Sequence, residues 1–369
     1  MSDVKWPTWM PLREDLKPLS PYGAPQVPAQ ATLNTNENPY PLSPEIVQAI
    51  ADRVHSVAIN LNRYPDRDAV NLRSALAKFI NSLSGTEFAV DNIWAANGSN
   101  EIIQSLFMAF GQRPALGFTP SYSMHPLIAK VIGTQWIDGG RRADFSLDIA
   151  KAKLEIATSK PGLTFVTTPN NPTGSTVTLK EIEELSVATA QVNGLLIVDE
   201  AYAEFSDQPS AVSLLAKHAN LIVIRTMSKA FAFAGARLGY MVSNKELVSA
   251  MFLVRLPYHL SALTQAAAEV ALEYQGELLG NVSTLIQARK WVVQELEKMG
   301  LQVVPSQANF LIFSGFPMTP AQLWRQLLDR GVLIRDVGLL AHLRVTIGND
   351  AENQKFVNAL QDILIGEGQ

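Results

Sequence analysis

The sequence predicts an α/β protein in which a mostly parallel sheet is preceded by an extended arm and followed by a smaller α+β unit. Three observations carry this expectation. Short, almost wholly apolar runs at 163–167, 194–198 and 221–224 are separated by polar or helix-patterned stretches, as in strands of a parallel sheet buried on both faces. Beyond about residue 255 the pattern changes to long helical segments and then to short strands. Residues 1–44 are rich in proline and poor in periodic segments, so they read as an arm lying over the surface. The expected division is an N-terminal arm, 1–44, packing with the small domain, a large domain, 45–280, and a small C-terminal domain, 281–369.

Each element has its own justification. Residues 44–58 form a helix candidate with Ser43 as N-cap and Pro44 at its first position. Residues 68–82 carry apolar positions at Val70, Leu72, Leu76, Phe79 and Ile80, a helical spacing. Strands are expected at 93–96 and 115–118, with helices at 101–110 and 123–131. A further strand is expected at 237–242. Helices then follow at 261–274 and 281–298. The last part alternates strands at 301–304 and 309–313, a helix at 320–329, strands at 332–335 and 343–347, and a helix at 351–365.

Composition narrows the function. The chain has 369 residues, 47% of them hydrophobic, and a formal net charge of −4; no field favours nucleic acid or an anionic membrane. There is no cysteine, which removes disulfides, thiolate catalysis and thiolate metal sites and fits a reducing compartment. His55, His125, His218, His259 and His342 lack metal-ligand spacing, so no metal is expected. Residues 1–30 lack the apolar core of a signal peptide, and no apolar run has the length of a membrane span. A soluble, cytoplasmic protein is the expectation.

The chemistry gathers where strands end. Lys229 follows the run 221–224, stands among small and apolar residues beside Ser228, and precedes Arg237. A desolvated lysine becomes an amine nucleophile of the kind that forms Schiff bases, although alone the stretch also fits a surface lysine. Asn97-Gly98-Ser99-Asn100-Glu101 stands where a strand hands over to a helix. It reads either as an anion-binding helix start or as an ordinary capped turn. The segment 168–174, Thr-Pro-Asn-Asn-Pro-Thr-Gly, is a turn by composition but lies at the end of an apolar strand, where open α/β sheets bind ligands; Asn171 is a potential donor there. Asp199 ends another strand, three residues before Tyr202, and Tyr122 follows a third. Together these supply an anion loop, an aromatic plate, an amide, a carboxylate, a lysine and an arginine. A flat heterocycle bearing a phosphate, a ring nitrogen, a phenolic oxygen and an aldehyde uses all of them, which points to pyridoxal 5′-phosphate.

The motifs Asn-Asn-Pro-Thr-Gly at 170–174, Asp-Glu-Ala-Tyr at 199–202, Ser-Lys at 228–229 and Ala-Gly-Ala-Arg at 234–237 resemble the class I/II aminotransferases. That resemblance runs from Leu33 to Gly348. It implies the aspartate-aminotransferase-like PLP fold type I, with a mostly parallel seven-stranded sheet in the large domain. The segments 20–23, 33–39, 63–66, 256–261, 333–336 and 343–348 narrow it to the histidinol-phosphate aminotransferases. Position 236 departs mildly, with alanine where many relatives carry a bulkier residue.

The resemblance implies the roles. Lys229 takes the cofactor aldehyde and then shuttles a proton. Asp199 faces the ring nitrogen, Asn171 and Tyr202 the phenolic oxygen, and Tyr122 stacks on the ring. Gly98, Ser99, Asn100, Ser228 and Arg237 form the phosphate cup. Tyr64 reaches the cofactor of the partner subunit, so a homodimer is implied. Arg335 and Arg344, with Tyr22, Asn36 and Tyr258, complete a substrate pocket for histidinol phosphate and for glutamate or 2-oxoglutarate, while His259 is left as structural. The implied reaction is a transamination in histidine biosynthesis, with an aromatic amino acid aminotransferase as the alternative on the same scaffold. A decarboxylase of a phosphorylated amino acid fits less well. A DNA-binding regulator on the same scaffold is disfavoured by the short, weakly basic first 40 residues, and a nucleotide-dependent oxidoreductase by the absence of G-x-G-x-x-G and P-loop motifs.

Overall fold

The computed structural model describes residues 6–366. Its centre is a seven-stranded sheet, with strands in the spatial order Ile93–Ala96, Gly239–Ser243, Leu221–Thr226, Leu195–Asp199, Leu163–Thr167, Ala115–Gly117 and Trp136–Asp138. Every pairing is parallel except the two made by Gly239–Ser243. Alternate residues of one strand enter different cores. Leu221 and Val223 pack with Leu196 and Val198 on one face, and Ile222 and Ile224 with Ile197 and Phe165 on the other. Both faces are therefore dry, which is why these strands read as unbroken apolar runs.

One antiparallel strand matters for the site. The parallel strands all end at the same edge of the sheet. Because Gly239–Ser243 runs the other way, it begins at that edge, and Thr226 and Ala96 both register with Gly239. Arg237, two residues before Gly239, is thus delivered to the edge where Asn97, Thr168, Asp199 and Ser228 emerge.

The C-terminal part forms a three-stranded antiparallel sheet, Leu343–Thr346 beside Phe310–Ser314 beside Gln302–Val303. Helices Gln275–Lys298, Pro320–Asp329 and Asp350–Gly366 accompany it. The arm bridges the two parts. Ala31–Thr32 pairs in parallel with Val332–Leu333, whereas Arg13 caps the helix Met124–Ile132 of the large sheet by donating to Val131 O at 2.7 Å and Lys130 O at 3.3 Å. The arm therefore packs against both parts, not against the small one alone.

Several expected bounds shift, each for a physical reason. The long helix begins at Gln275 and not at 281, so it runs through the expected boundary at 280. Gly276 and Gly280 lower helix propensity by about 1 kcal/mol each, yet Leu278, Val282 and Leu285 are buried at helical spacing and outweigh that loss. The edge strand Trp136–Asp138 was not foreseen; it is three residues long and none of them is buried. The helices Ile149–Ser159, Leu179–Gln191 and Lys245–Val254 were not individually foreseen either.

Beneath the edge that carries the site lies a buried ionic triad. Arg225 donates to Glu200 at 2.7 Å and to Glu204 at 2.9 Å, and all three side chains are less than 10% exposed. Glu200 also accepts from Ser210 Oγ at 2.6 Å and Ala211 N at 2.7 Å. Asp199 lines the cavity described below, while the next residue turns to Arg225. Removing one partner from such a cluster leaves a charge buried without its counter-ion. Arg225→Met should lower stability by about 3–5 kcal/mol, seen as a fall in the urea unfolding midpoint. A midpoint equal to wild type would show that Glu200 and Glu204 are held without the arginine.

Candidate active site

The strand ends, the arm and the strand Leu343–Thr346 enclose a cavity of about 530 Å³. Lys229 lies inside it and donates from Nζ to Thr35 O of the arm at 3.0 Å. Removal from water, with Arg344 and Arg237 nearby as further cations, brings its pKa down to about 8; Glu37 opposes the shift. A lysine in this state is a free amine at mildly alkaline pH, available as a nucleophile or proton carrier.

An anion cup lies at one end. Gly98 precedes the helix Ser99–Phe110 at φ 85°, and no side chain caps that helix, so its first N–H groups are open to a ligand. Glycine suits 98 because L side chains rarely adopt this φ, and a Cβ there would also displace the Arg237 guanidinium, whose Nη2 it would meet at 2.6 Å. Arg237 donates to Ala234 O at 3.1 Å and reaches Ser228 Oγ at 3.4 Å. Thr226, not singled out in the sequence, holds the turn by accepting from Ser228 N at 3.2 Å and donating to its hydroxyl at 3.0 Å.

A flat group has a seat beside the cup. Tyr122 lines the cavity, donates to Asn100 Oδ1 at 3.1 Å and stands edge-on to His125, with ring centroids 5.4 Å apart. Burial raises the Tyr122 pKa, keeping the hydroxyl neutral and able to donate. Asp199, 2% exposed, accepts from His125 Nε2 at 3.1 Å and from Ala201 N at 3.2 Å. His125 is itself 1% exposed and packs on Phe165, centroids 4.7 Å apart. His125 was not singled out in the sequence as the partner of Asp199. The available signal was the position of His125, three residues after Tyr122 and so on one face of the same turn.

Tyr202 faces the same space. Its Oη accepts from Asn36 Nδ2 at 2.9 Å and from Asn171 Nδ2 at 3.4 Å, which leaves its own proton free to donate. Burial pushes its pKa up to about 12. Asn36, at φ 56°, is pinned by Thr346, whose hydroxyl donates to Asn36 Oδ1 and accepts from Asn36 N, each at 3.0 Å.

Two arginines close the other end. Arg335 and Arg344 exchange backbone hydrogen bonds, both 2.9 Å, as an antiparallel pair, and directly opposed residues project from the same face of a sheet. Arg344 is 7% exposed. It donates to Asn171 Oδ1 and Asn34 O, both at 2.7 Å, and lies 5.2 Å from the Phe310 ring, but its Nε has no partner. No carboxylate compensates it, and burial lowers its pKa to about 10. A buried guanidinium without a counter-ion, open to a cavity, is suited to an anionic ligand.

The structure thus brings Gly98, Ser99, Asn100, Tyr122, Asn171, Asp199, Tyr202, Ser228, Lys229, Arg237, Tyr22, Asn36, Arg335 and Arg344 to this one region. It does not bring Tyr64 or Tyr258 there. These two rings stack on each other, centroids 4.4 Å apart, outside the cavity of their own chain, and Tyr64 is 79% exposed. Tyr258, expected to help complete the substrate pocket, does not line the cavity of its own chain; its residue has φ 57° and its ring stacks on Tyr64. His259 serves as structure, with Nε2 2.9 Å from Ala95 O and its ring stacked on Trp94. Among the described residues no His, Asp and Glu cluster could hold a metal.

Comparison with known proteins agrees with this geometry. Residues 28–360 match the family described as aminotransferase class I and II, and the chain belongs to that family. A histidinol-phosphate aminotransferase from Mycobacterium sp. (strain JLS) is 53% identical over 353 residues, which cover 95% of this chain and 93% of that relative. A histidinol-phosphate aminotransferase structure from Sinorhizobium meliloti, in complex with pyridoxal-5′-phosphate, superposes with a TM-score of 0.79 at 25% identity, over 92% of each chain. A Thermus thermophilus aspartate aminotransferase double mutant shares the fold, with a TM-score of 0.82 at 21% identity, over 96% of this chain and 99% of that one.

The lysine environment predicts a titration. Below pH 8 Nζ is an ammonium; above it the free amine dominates. In the cofactor-free chain, modification of Lys229 by an acylating reagent should rise with a midpoint near 8, well below the ordinary lysine value of about 10.4. Arg344→Gln removes a neighbouring cation and should move the midpoint upward. Peptide mapping of the modified site at a series of pH values reads both shifts.

Proposed function

We propose that this protein is a pyridoxal phosphate-dependent transaminase that converts L-histidinol phosphate and 2-oxoglutarate to imidazole acetol phosphate and L-glutamate, in histidine biosynthesis. One observation carries the substrate reading: Arg344, buried and without a carboxylate partner, stands beside Arg335 at the end of the cavity that holds Lys229. One cationic pocket of this kind serves both the phosphate of one donor and a carboxylate of the other. The name carried by the Mycobacterium relative supports the same reaction.

The residues fit the cofactor. Pyridoxal phosphate, when bound, supplies an aldehyde to carry the amino group and a ring to accept electrons. Gly98, Ser99, Asn100, Ser228 and Arg237 are the groups for its phosphate, and Asp199, oriented by His125, is the carboxylate for a ring nitrogen. Tyr202 and Asn171 are the donors for a phenolic oxygen, and Tyr122 lies against the ring. Lys229 supplies the amine. Its lowered pKa would leave Nζ able to take the proton from the substrate Cα and hold it for return on the far side of the transferred nitrogen.

The active unit in this reading is a cytoplasmic homodimer in which Tyr64 reaches the cofactor phosphate of the partner subunit. Its support is the placement of Tyr64 and Tyr258 outside their own cavity, near exposed Leu61, Leu253 and Leu256 in the sequence. Each chain divides into an arm, a large cofactor domain and a small domain, joined through the helix Gln275–Lys298.

Purified protein should absorb in the visible with pyridoxal phosphate and transaminate histidinol phosphate with a higher kcat/KM than phenylalanine. A preference for phenylalanine would overturn the substrate in favour of an aromatic amino acid aminotransferase. Lys229→Ala should abolish turnover and the visible band. Arg344→Ala should reduce kcat/KM by at least about 100-fold for both histidinol phosphate and 2-oxoglutarate. A loss confined to one of them would show that the two anions use different sites.

A further inference from the structure

We propose that Glu37 recognises the ring N–H of the amino donor and so determines specificity for an imidazole; this rests on the reading of the substrate given above. The cavity is lined by charges of both signs. Lys229, Arg237, Arg335 and Arg344 are cations, and three carboxylates face them: Asp199, Asp336 and Glu37. Asp199 is engaged by His125 and Ala201 N. Asp336 accepts from Gly338 N at 2.8 Å and lies beside Arg335 in the chain. Among the described residues, the Glu37 carboxylate alone of the three has no hydrogen bond and no ion pair.

Its backbone, in contrast, is held. Asn36, the residue before it, is fixed by Thr346 and by Asn309 Nδ2, which donates to Asn36 O at 3.1 Å. Two residues before it, Thr35 O accepts from Lys229 Nζ. A free carboxylate is thus carried on an ordered segment at the wall of a site rich in positive charge. Its charge is felt at Lys229, so it stands near the reacting amine.

The chemistry of the donor explains such a group. The phosphate of histidinol phosphate suits the arginine pair, and its amine goes to the reaction centre. The remaining polar feature is the imidazole, which carries one N–H when neutral and two when protonated, with an unperturbed pKa of about 6.5. Of the other side-chain acceptors in the cavity, Asn171 Oδ1 is committed to Arg344 and Asn100 Oδ1 to Tyr122, while Asn34 Oδ1 is buried without a partner; Glu37, which is solvent-exposed, is set apart from it by its charge. A carboxylate accepts from imidazole and, being charged, favours imidazolium further. It gives nothing to phenylalanine, whose burial beside it costs the carboxylate its water without replacing a hydrogen bond. Glu37 thus separates an imidazole donor from an apolar ring by attraction to one and desolvation against the other.

The test compares holoenzymes of wild type, Glu37→Gln and Glu37→Leu with histidinol phosphate, phenylalanine and 2-oxoglutarate. Removing a charge-assisted hydrogen bond should lower kcat/KM for histidinol phosphate roughly 10- to 100-fold, at least tenfold more than any loss with 2-oxoglutarate. Glu37→Leu should also raise kcat/KM for phenylalanine. Retention of the visible cofactor band in both variants checks that the site is intact. Equal losses with histidinol phosphate and 2-oxoglutarate would overturn the proposal by placing Glu37 in service of Lys229. No loss with histidinol phosphate, in a wild-type enzyme that uses it, would overturn it as well. A wild-type enzyme that does not turn over histidinol phosphate would refute the substrate reading and this inference with it.

Discussion

The structure depends on a lysine that has been taken out of water without being given a carboxylate. Lys229 Nζ donates to a carbonyl, Thr35 O, and its neighbours Arg344 and Arg237 repel its proton. A salt-bridged lysine would be stable and inert; this one is held in place yet poised to lose its proton. The arrangement concentrates positive charge at the sheet edge, and folding tolerates it because surrounding acceptors fix each cation individually. Arg344 is held by Asn171 and Asn34, and Arg237 by Ala234 O and Ser228. The ligands then complete the balance, since both the cofactor and the proposed substrates bring anions.

Such a site requires a rigid platform. The parallel strands are buried on both faces, so a slip of one residue would drive apolar side chains out of two cores at once. Asp199 registers with Ile224, and Glu200 N then donates to Ile224 O at 2.9 Å. Arg225, next in that strand, grips Glu200 and Glu204 below the edge. The strand that ends in the carboxylate is thereby locked to the strand that leads into the lysine. Positions of the reacting groups follow from this locking, with the loops contributing little freedom.

Much of this was legible in the sequence because the signals are local. Apolar runs marked the strands, and the residues that follow each run are the ones that line the cavity. What was not legible depends on distance along the chain. The partner of Asp199 is His125, 74 residues earlier, and no periodicity links them. That Tyr258 stacks on Tyr64 outside the cavity of its own chain was likewise not legible, since 194 positions of sequence separate the two residues. The first six residues of the long helix were hidden by Gly276 and Gly280, whose poor propensity is overridden by burial of Leu278. Glu37 lay in plain view among asparagines and prolines and is exposed like an ordinary surface carboxylate; its place on the cavity wall beside paired carboxylates is what the sequence did not show.

The arm shows why the two halves of the molecule act as one site. Residues 34–37 contribute a carbonyl to Arg344, a carbonyl to Lys229, an amide to Tyr202 and a carboxylate to the cavity wall. The segment itself hangs from the small sheet, through Leu333 O, which accepts from Leu33 N at 2.7 Å, and through Leu33 O, which accepts from Thr346 N at 3.0 Å. Any displacement of the small sheet therefore moves the hydrogen-bond partner of the lysine as well as the arginine pair. Anion binding at Arg335 and Arg344 and proton affinity at Lys229 are coupled through a few residues of extended chain. The coupling has a sign: an anion that neutralises Arg344 removes one of the charges depressing the lysine pKa, so the amine gains basicity as the substrate's far end is engaged.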